Sequence, residues 1–183
     1  MKILLAILVI SFAAEIHAQD KWAMADKNIV RIAPNSFTQL PKSIINDLEK
    51  RHCTIPQSYI QNSKHNVISG EFKRKGQKDW AILCSKNRAS SILIYWNGSS
   101  SNVSSIASSK DEGHLQTIGD DKIGFSRVID VVGADYIIDH YKAYGGTRPP
   151  KITHNGINDA FAETASVVLY LHRGKWLELQ GAD

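Results

Sequence analysis

Val67-Ile-Ser-Gly-Glu-Phe72, Asp79-Trp-Ala-Ile-Leu-Cys84 and Ser91-Ile-Leu-Ile-Tyr-Trp96 are the three stretches on which the fold of this chain turns. Each is a short apolar run rich in branched and aromatic side chains, the types that pack well on pleated, extended backbone. Between them lie two polar, turn-like segments, Lys73-Arg-Lys-Gly-Gln-Lys78 and Ser85-Lys-Asn-Arg-Ala-Ser90. Short turns can join only antiparallel neighbours, so the three runs predict a meander. The second and third are almost continuously apolar, which predicts a sheet covered on both faces there.

Toward the N-terminus, Phe37, Leu40, Ile44, Ile45 and Leu48 recur at three- and four-residue spacing. With Pro41 suited to a first turn, they predict a helix over 41–51 that delivers Cys53 into the next loop. Residues 19–35 are polar and broken by Pro34-Asn35, and read as an arm. Toward the C-terminus, eight of the thirteen residues 97–109 are Ser or Gly, so 97–113 reads as a loop. Strands are expected at 114–118, 123–130 and 135–141, then a rigid connector at 144–150 and a short helix at 157–164. The chain closes in a hairpin, 166–172 with 175–180, turning at Arg173-Gly174. The fold class expected is therefore α+β: mainly antiparallel β-sheet, with an N-terminal helix and a short helix before a C-terminal hairpin.

The first eighteen residues have the three parts of a secretory signal peptide: Lys2, an apolar run from Ile3 to Ala14, and a short polar segment ending at Ala18. The run is about a dozen residues, short of the roughly 20 that cross a bilayer. Cleavage would leave one domain, 19–183, with no transmembrane segment, secreted or periplasmic. Its two cysteines, Cys53 and Cys84, would then meet an oxidising compartment. There they either bridge, closing a loop of roughly 30 residues, or stand as two separate buried thiols.

The chain carries 22 basic and 18 acidic residues, net +4. That excess is too mild for a nucleic-acid-binding surface. The cluster Lys73, Arg74, Lys75 and Lys78 can take an anion or simply form a solvated hairpin tip, and no aromatic stands within it to stack bases. His154-Asn-Gly-Ile-Asn-Asp159-Ala-Phe-Ala-Glu163 is the richest segment in chemistry. On a helix over 157–164, Asp159 and Glu163 share a face with His154 just before it, a set able to hold a metal or move a proton. The plainer alternative makes the same residues a helix cap and solvated carboxylates. Neither a G-x-S-x-G elbow, a phosphate-cradling glycine loop nor a C-x-x-C is present.

Gly70-Glu-Phe-Lys-Arg-Lys-Gly76-Gln-Lys-Asp79-Trp-Ala-Ile-Leu83 resembles the strand-turn-strand unit of FG-GAP-type repeats. It occurs once, so it implies no propeller, and Lys73 and Lys75 stand where that family's calcium-binding carboxylates belong. Cys53-Thr-Ile-Pro-Gln57, the Gly70–Cys84 segment and the ending Gly174–Asp183 are together similar to small exported bacterial proteins of unassigned function. That resemblance implies a stand-alone domain behind a signal peptide and no particular activity. The expectation is a non-catalytic binding or interaction protein of the cell envelope, with a macromolecular or envelope partner and no cofactor or metal. The alternative is a small secreted hydrolase, metal-assisted, working through His154, Asp159 and Glu163.

Overall fold

The structure, a computed structural model, describes residues 21–181, so the signal segment read over 1–18 lies outside the described residues. Helix α1 (21–28) leads into β1 (Arg31–Ile32), and helix α2 (Lys42–Lys50) into β2 (Ile55–Pro56), its antiparallel partner. A meander follows: β3 (Val67–Gly70), β4 (Asp79–Lys86), β5 (Ala89–Tyr95) and β6 (Val103–Lys110). The small hairpin β7 (Leu115–Thr117) and β8 (Ile123–Phe125) precedes β9 (Arg127–Val132) and helix α3 (Ala134–Tyr144). Then come β10 (Gly156–Phe161), β11 (Ala165–His172) and β12 (Lys175–Gln180). The two main sheets have four strands each, in the orders β3-β4-β5-β6 and β9-β10-β11-β12, antiparallel throughout.

Side-chain alternation along the strands stacks these sheets. Ala81, Leu83, Ile92 and Ile94 of the first sheet meet Ile129, Ile157, Leu169 and Leu171 of the second in one shared core. The intervening Trp80, Ile82, Cys84, Leu93 and Tyr95 face the other way, onto Ile44 and Leu48 of α2. Likewise Val168 and Tyr170 turn outward onto Ile137 of α3. The layers therefore run α2, first sheet, second sheet, α3, which is why β4 and β5 are apolar on both faces. Cys53 and Cys84 form a disulfide with their Cα atoms 5.4 Å apart, tying the exit of α2 to β4.

The two sides of the stack differ. Where the β3 and β9 edges meet, Asn66 fastens one sheet to the other. Its amide donates to the carbonyls of Pro56 at 2.7 Å and Arg127 at 3.2 Å, and its Oδ1 accepts from the Ile129 N–H at 3.0 Å. On the opposite side, β6 and β12 end their sheets without a pairing strand among the described residues.

Four expectations are corrected. Residues 135–141 belong to α3: Ile137, His140, Tyr141 and Tyr144 follow a helical spacing, with Gly133 at the N-cap and Asp135 in the first turn, where the helix dipole favours a carboxylate. Residues 157–164 hold no helix; Gly156–Phe161 is β10, paired on both sides, and 162–164 form the turn into β11. The serine-rich 97–113 contains β6, which needs apolar residues only where it meets the core, at Val103, Ile106 and Ala107. Residues 19–35 are no loose arm as far as they are described: α1 buries Asp26, Ile29 is buried, and β1 pairs with β2.

Candidate functional site

The open side carries the site. Between the β6 and β12 edges lies a cavity of about 480 Å³, lined by Ile106, Ala107, Leu169, Tyr170, Trp176 and Leu177 among others. Trp176 is also a wall of an adjoining cavity of about 220 Å³, shared with Lys73, Trp96, Ser104, Leu171 and Gly174. The two spaces, together the slot, share the Trp176 indole as a wall. A cleft of this size, mainly apolar with a few polar groups, is the usual shape of a small-ligand site.

Each wall has a local cause. Trp176 projects from β12, set opposite Leu171 by the hairpin register across Arg173-Gly174, both at positive φ as a tight two-residue turn requires. Trp96 follows β5 in a one-turn 3₁₀ helix, and its Nε1–H donates to Ser104 Oγ at 2.8 Å. The two rings stack, 6.1 Å between centroids and 28° apart in plane. Lys73 Nζ stands 5.9 Å from the Trp96 ring centre, within reach of its negative face.

Asp79 fixes this arrangement. Fully buried, it accepts hydrogen bonds from the Lys73 N–H at 3.1 Å, the Gln77 amide at 2.7 Å and the Asn97 N–H at 2.7 Å. One carboxylate thus clamps the basic turn to the turn that bears Trp96. Of the basic cluster, Lys73 reaches the slot and Lys78 lies over Trp80 at 4.9 Å, while Arg74 and Lys75 are exposed on the turn. Arg173 and Lys175 are exposed at the facing turn, beside Gly174. No ion pair among the described residues holds Lys73, Arg74, Lys75, Arg173 or Lys175.

His154, Asp159 and Glu163 are not brought together. With no helix over 157–164, the four-residue spacing of the carboxylates loses its meaning. His154 Nδ1 contacts the Asn155 carbonyl, and Glu163 sits in the β10–β11 turn accepting from the Tyr59 hydroxyl at 2.7 Å. Asp159 is gripped at both oxygens by Arg127, at 2.8 and 2.7 Å. Among the described residues, no group of three His, Cys, Asp or Glu side chains is placed to hold a metal ion.

Arg127, 1% exposed, is the polar centre between the sheets. Besides Asp159 it donates to the Ala107 carbonyl at 2.6 Å and to the hydroxyls of Ser90 and Ser109 at 3.1 and 3.0 Å. Ser109 in turn contacts His114 Nε2 at 2.8 Å. Burial, with the Arg127 cation nearby, pushes that imidazole down to about 4, so it is neutral at ordinary pH. Sequence reasoning missed this network, because a lone Arg at the head of an apolar strand carries no spacing signal. Trp176 was visible only as a strand residue; nothing local foretold that Trp96 would lie against it.

Among the described residues, no helix is long and apolar enough to cross a membrane. Comparison with protein-family models, with curated proteins and with solved structures gives no match to this chain.

Proposed function

We propose that the protein is an exported, non-catalytic binding domain of the cell envelope, secreted or periplasmic, that receives its ligand in the slot between β6 and β12. The ligand class is an anion carrying a flat or apolar ring face, an acidic saccharide of the envelope being the fitting chemistry. One observation carries this reading: a stacked tryptophan pair, Trp96 buried and Trp176 half-buried, walls the slot between two turns whose five cations make no ion pair among the described residues. Aromatic faces at such sites supply much of the binding energy, and unpaired cations supply attraction and orientation. The segment Met1–Ala18 and the disulfide Cys53–Cys84 support the exported setting.

Titration of tryptophan fluorescence with acidic and neutral oligosaccharides tests it. Acidic sugars should shift the emission and neutral ones of equal size should not. Trp176→Ala should weaken binding at least tenfold, and Lys73→Ala should weaken it less, with a shallower salt dependence. Equal response to both sugar classes, or unchanged affinity in Trp176→Ala, would end the proposal.

A further inference from the structure

A second cavity, of about 490 Å³, shares no residue with the slot. It is enclosed by α1 and the strand after it, by the loop 57–64, and by the β7–β8 hairpin. Ile29, Val30, Ile32, Ile118, Ile123 and Phe125 supply its apolar surface; Asn28, Gln57, Ser58, Gln61 and Asn62 supply neutral polar groups. Lys64 is the one charged residue in the lining, and no carboxylate is present in it.

Two independent features indicate an occupant. Ser58 is 4% exposed and its Oγ has no hydrogen-bond partner, although its neighbours are fully engaged. The Ser58 N–H donates to His65 Nε2 at 2.6 Å, and the Gln57 amide donates to the carbonyls of Ile55 and His65. A buried hydroxyl left unpaired costs about 1–3 kcal/mol, a cost that a ligand acceptor removes. The second feature is exposed apolar surface. Of the seven large hydrophobic residues exposed among those described, Trp22, Met24, Val30 and Ile60 belong to the two segments that build this cavity. Lys21 and Lys27 stand on α1 with them, Lys21 pairing with Asp121 at 3.7 Å.

We infer that this cavity holds one acyl chain of an anionic membrane lipid while the protein rests on the bilayer surface. The chain lies along the isoleucines and Phe125, its ester carbonyl accepts from Ser58 Oγ, and Lys64 meets the headgroup phosphate. Trp22, Met24, Val30 and Ile60 sit at the headgroup boundary, where an amphipathic tryptophan is favoured. A cationic peptide would find no carboxylate in this wall. One acyl chain confers only marginal, reversible membrane binding, so the association is peripheral.

The test is co-sedimentation of the protein, purified as exported, with phosphatidylglycerol–phosphatidylcholine vesicles and with phosphatidylcholine alone. Partitioning should be at least tenfold stronger onto the anionic vesicles and should fall by a similar factor in Val30→Asp/Ile60→Asp. Both residues are exposed, so the variant should keep its fold, verified by circular dichroism. Ser58→Ala should raise the melting temperature, by removing an unpaired hydroxyl, yet weaken partitioning several-fold. Trp176→Ala should partition as the unaltered protein does, separating this site from the slot. Failure to bind either vesicle, equal binding to both, or undiminished binding by the folded double variant overturns the inference.

Discussion

Arg127 and Asp159 form a pair buried between two sheets whose shared core is otherwise mainly apolar. Taking two charges out of water is costly, and the cost is recovered only when every donor finds an acceptor, as the contacts of Arg127 with Asp159, Ser90, Ser109 and Ala107 allow. Arg127→Met should therefore lose about 3–5 kcal/mol in urea denaturation, because it strands a half-sequestered carboxylate. Arg127→Met/Asp159→Leu should lose clearly less than the sum of the two single changes; strict additivity would mean that the pair does not interact. His114 gives a pH signature. Its folded value of about 4 lies below the unfolded 6.5, so between those values the unfolded chain binds the extra proton. Stability is thus full above pH 6.5 and declines as pH falls toward 4, by up to about 3 kcal/mol at 1.36 kcal/mol per unit. In denaturation midpoints measured from pH 4 to 7, His114→Gln should flatten this slope and leave the other carboxylate-linked changes in place.

At the level of elements, the sequence was most legible where one periodicity ruled. The helix at Lys42–Lys50, the β3–β4–β5 meander and the Arg173-Gly174 hairpin follow from local pattern, since each buries a face that its spacing defines. The signal failed where tertiary partners decide. Gly156–Phe161 carries Ile157, Ala160 and Phe161 at helical spacing, yet strands on both sides and the demand of Arg127 for Asp159 hold it extended. Ala134–Tyr144 holds an Ile-Ile pair that suits a strand, but its apolar face repeats every three to four residues. With these two assignments exchanged, the candidate triad of His154, Asp159 and Glu163 had no physical basis. Gly156 marks the tightest packing in this region: a Cβ there would stand 2.8 Å from the Leu169 carbonyl oxygen and 3.1 Å from Ile137 Cδ1. Gly156→Ala should force β10 away from β11 and α3 and lower the melting temperature by several degrees. The disulfide acts at this scale too. Reducing Cys53–Cys84, which are 31 residues apart, should cost about 3–4 kcal/mol on the chain-entropy view, read as a fall in the denaturation midpoint with dithiothreitol.

For the whole molecule, the decisive feature is that no strand is shared between the two main sheets. Their union rests on the apolar core, on Arg127 and on Asn66, which holds a left-handed backbone at φ 67° while bonding three main-chain groups. Asn66→Asp keeps the shape but replaces the donating amide with an oxygen facing the carbonyls of Pro56 and Arg127. It should destabilise the protein by about 2–4 kcal/mol, as breaking a buried hydrogen-bond network does, and a change under about 0.5 kcal/mol in guanidinium unfolding would show that Asn66 is no fastening. Nothing at residue or element level in the sequence announces such a join, since Asn66 precedes a strand as an ordinary turn residue.

A sandwich fastened along one long side opens like a book about its spine. Because β6 and β12 belong to different covers, a guest entering beside Trp176 can spread their ends without breaking a hydrogen bond within either sheet, as far as the point where Arg127 of β9 ties Ala107 and Ser109 of β6. Amide hydrogens along the β6 and β12 fore-edges should then exchange with solvent by small, frequent openings, while those beside Asn66 await global unfolding. Capacity for guests of differing thickness would come from that angle, with the secondary structure unchanged.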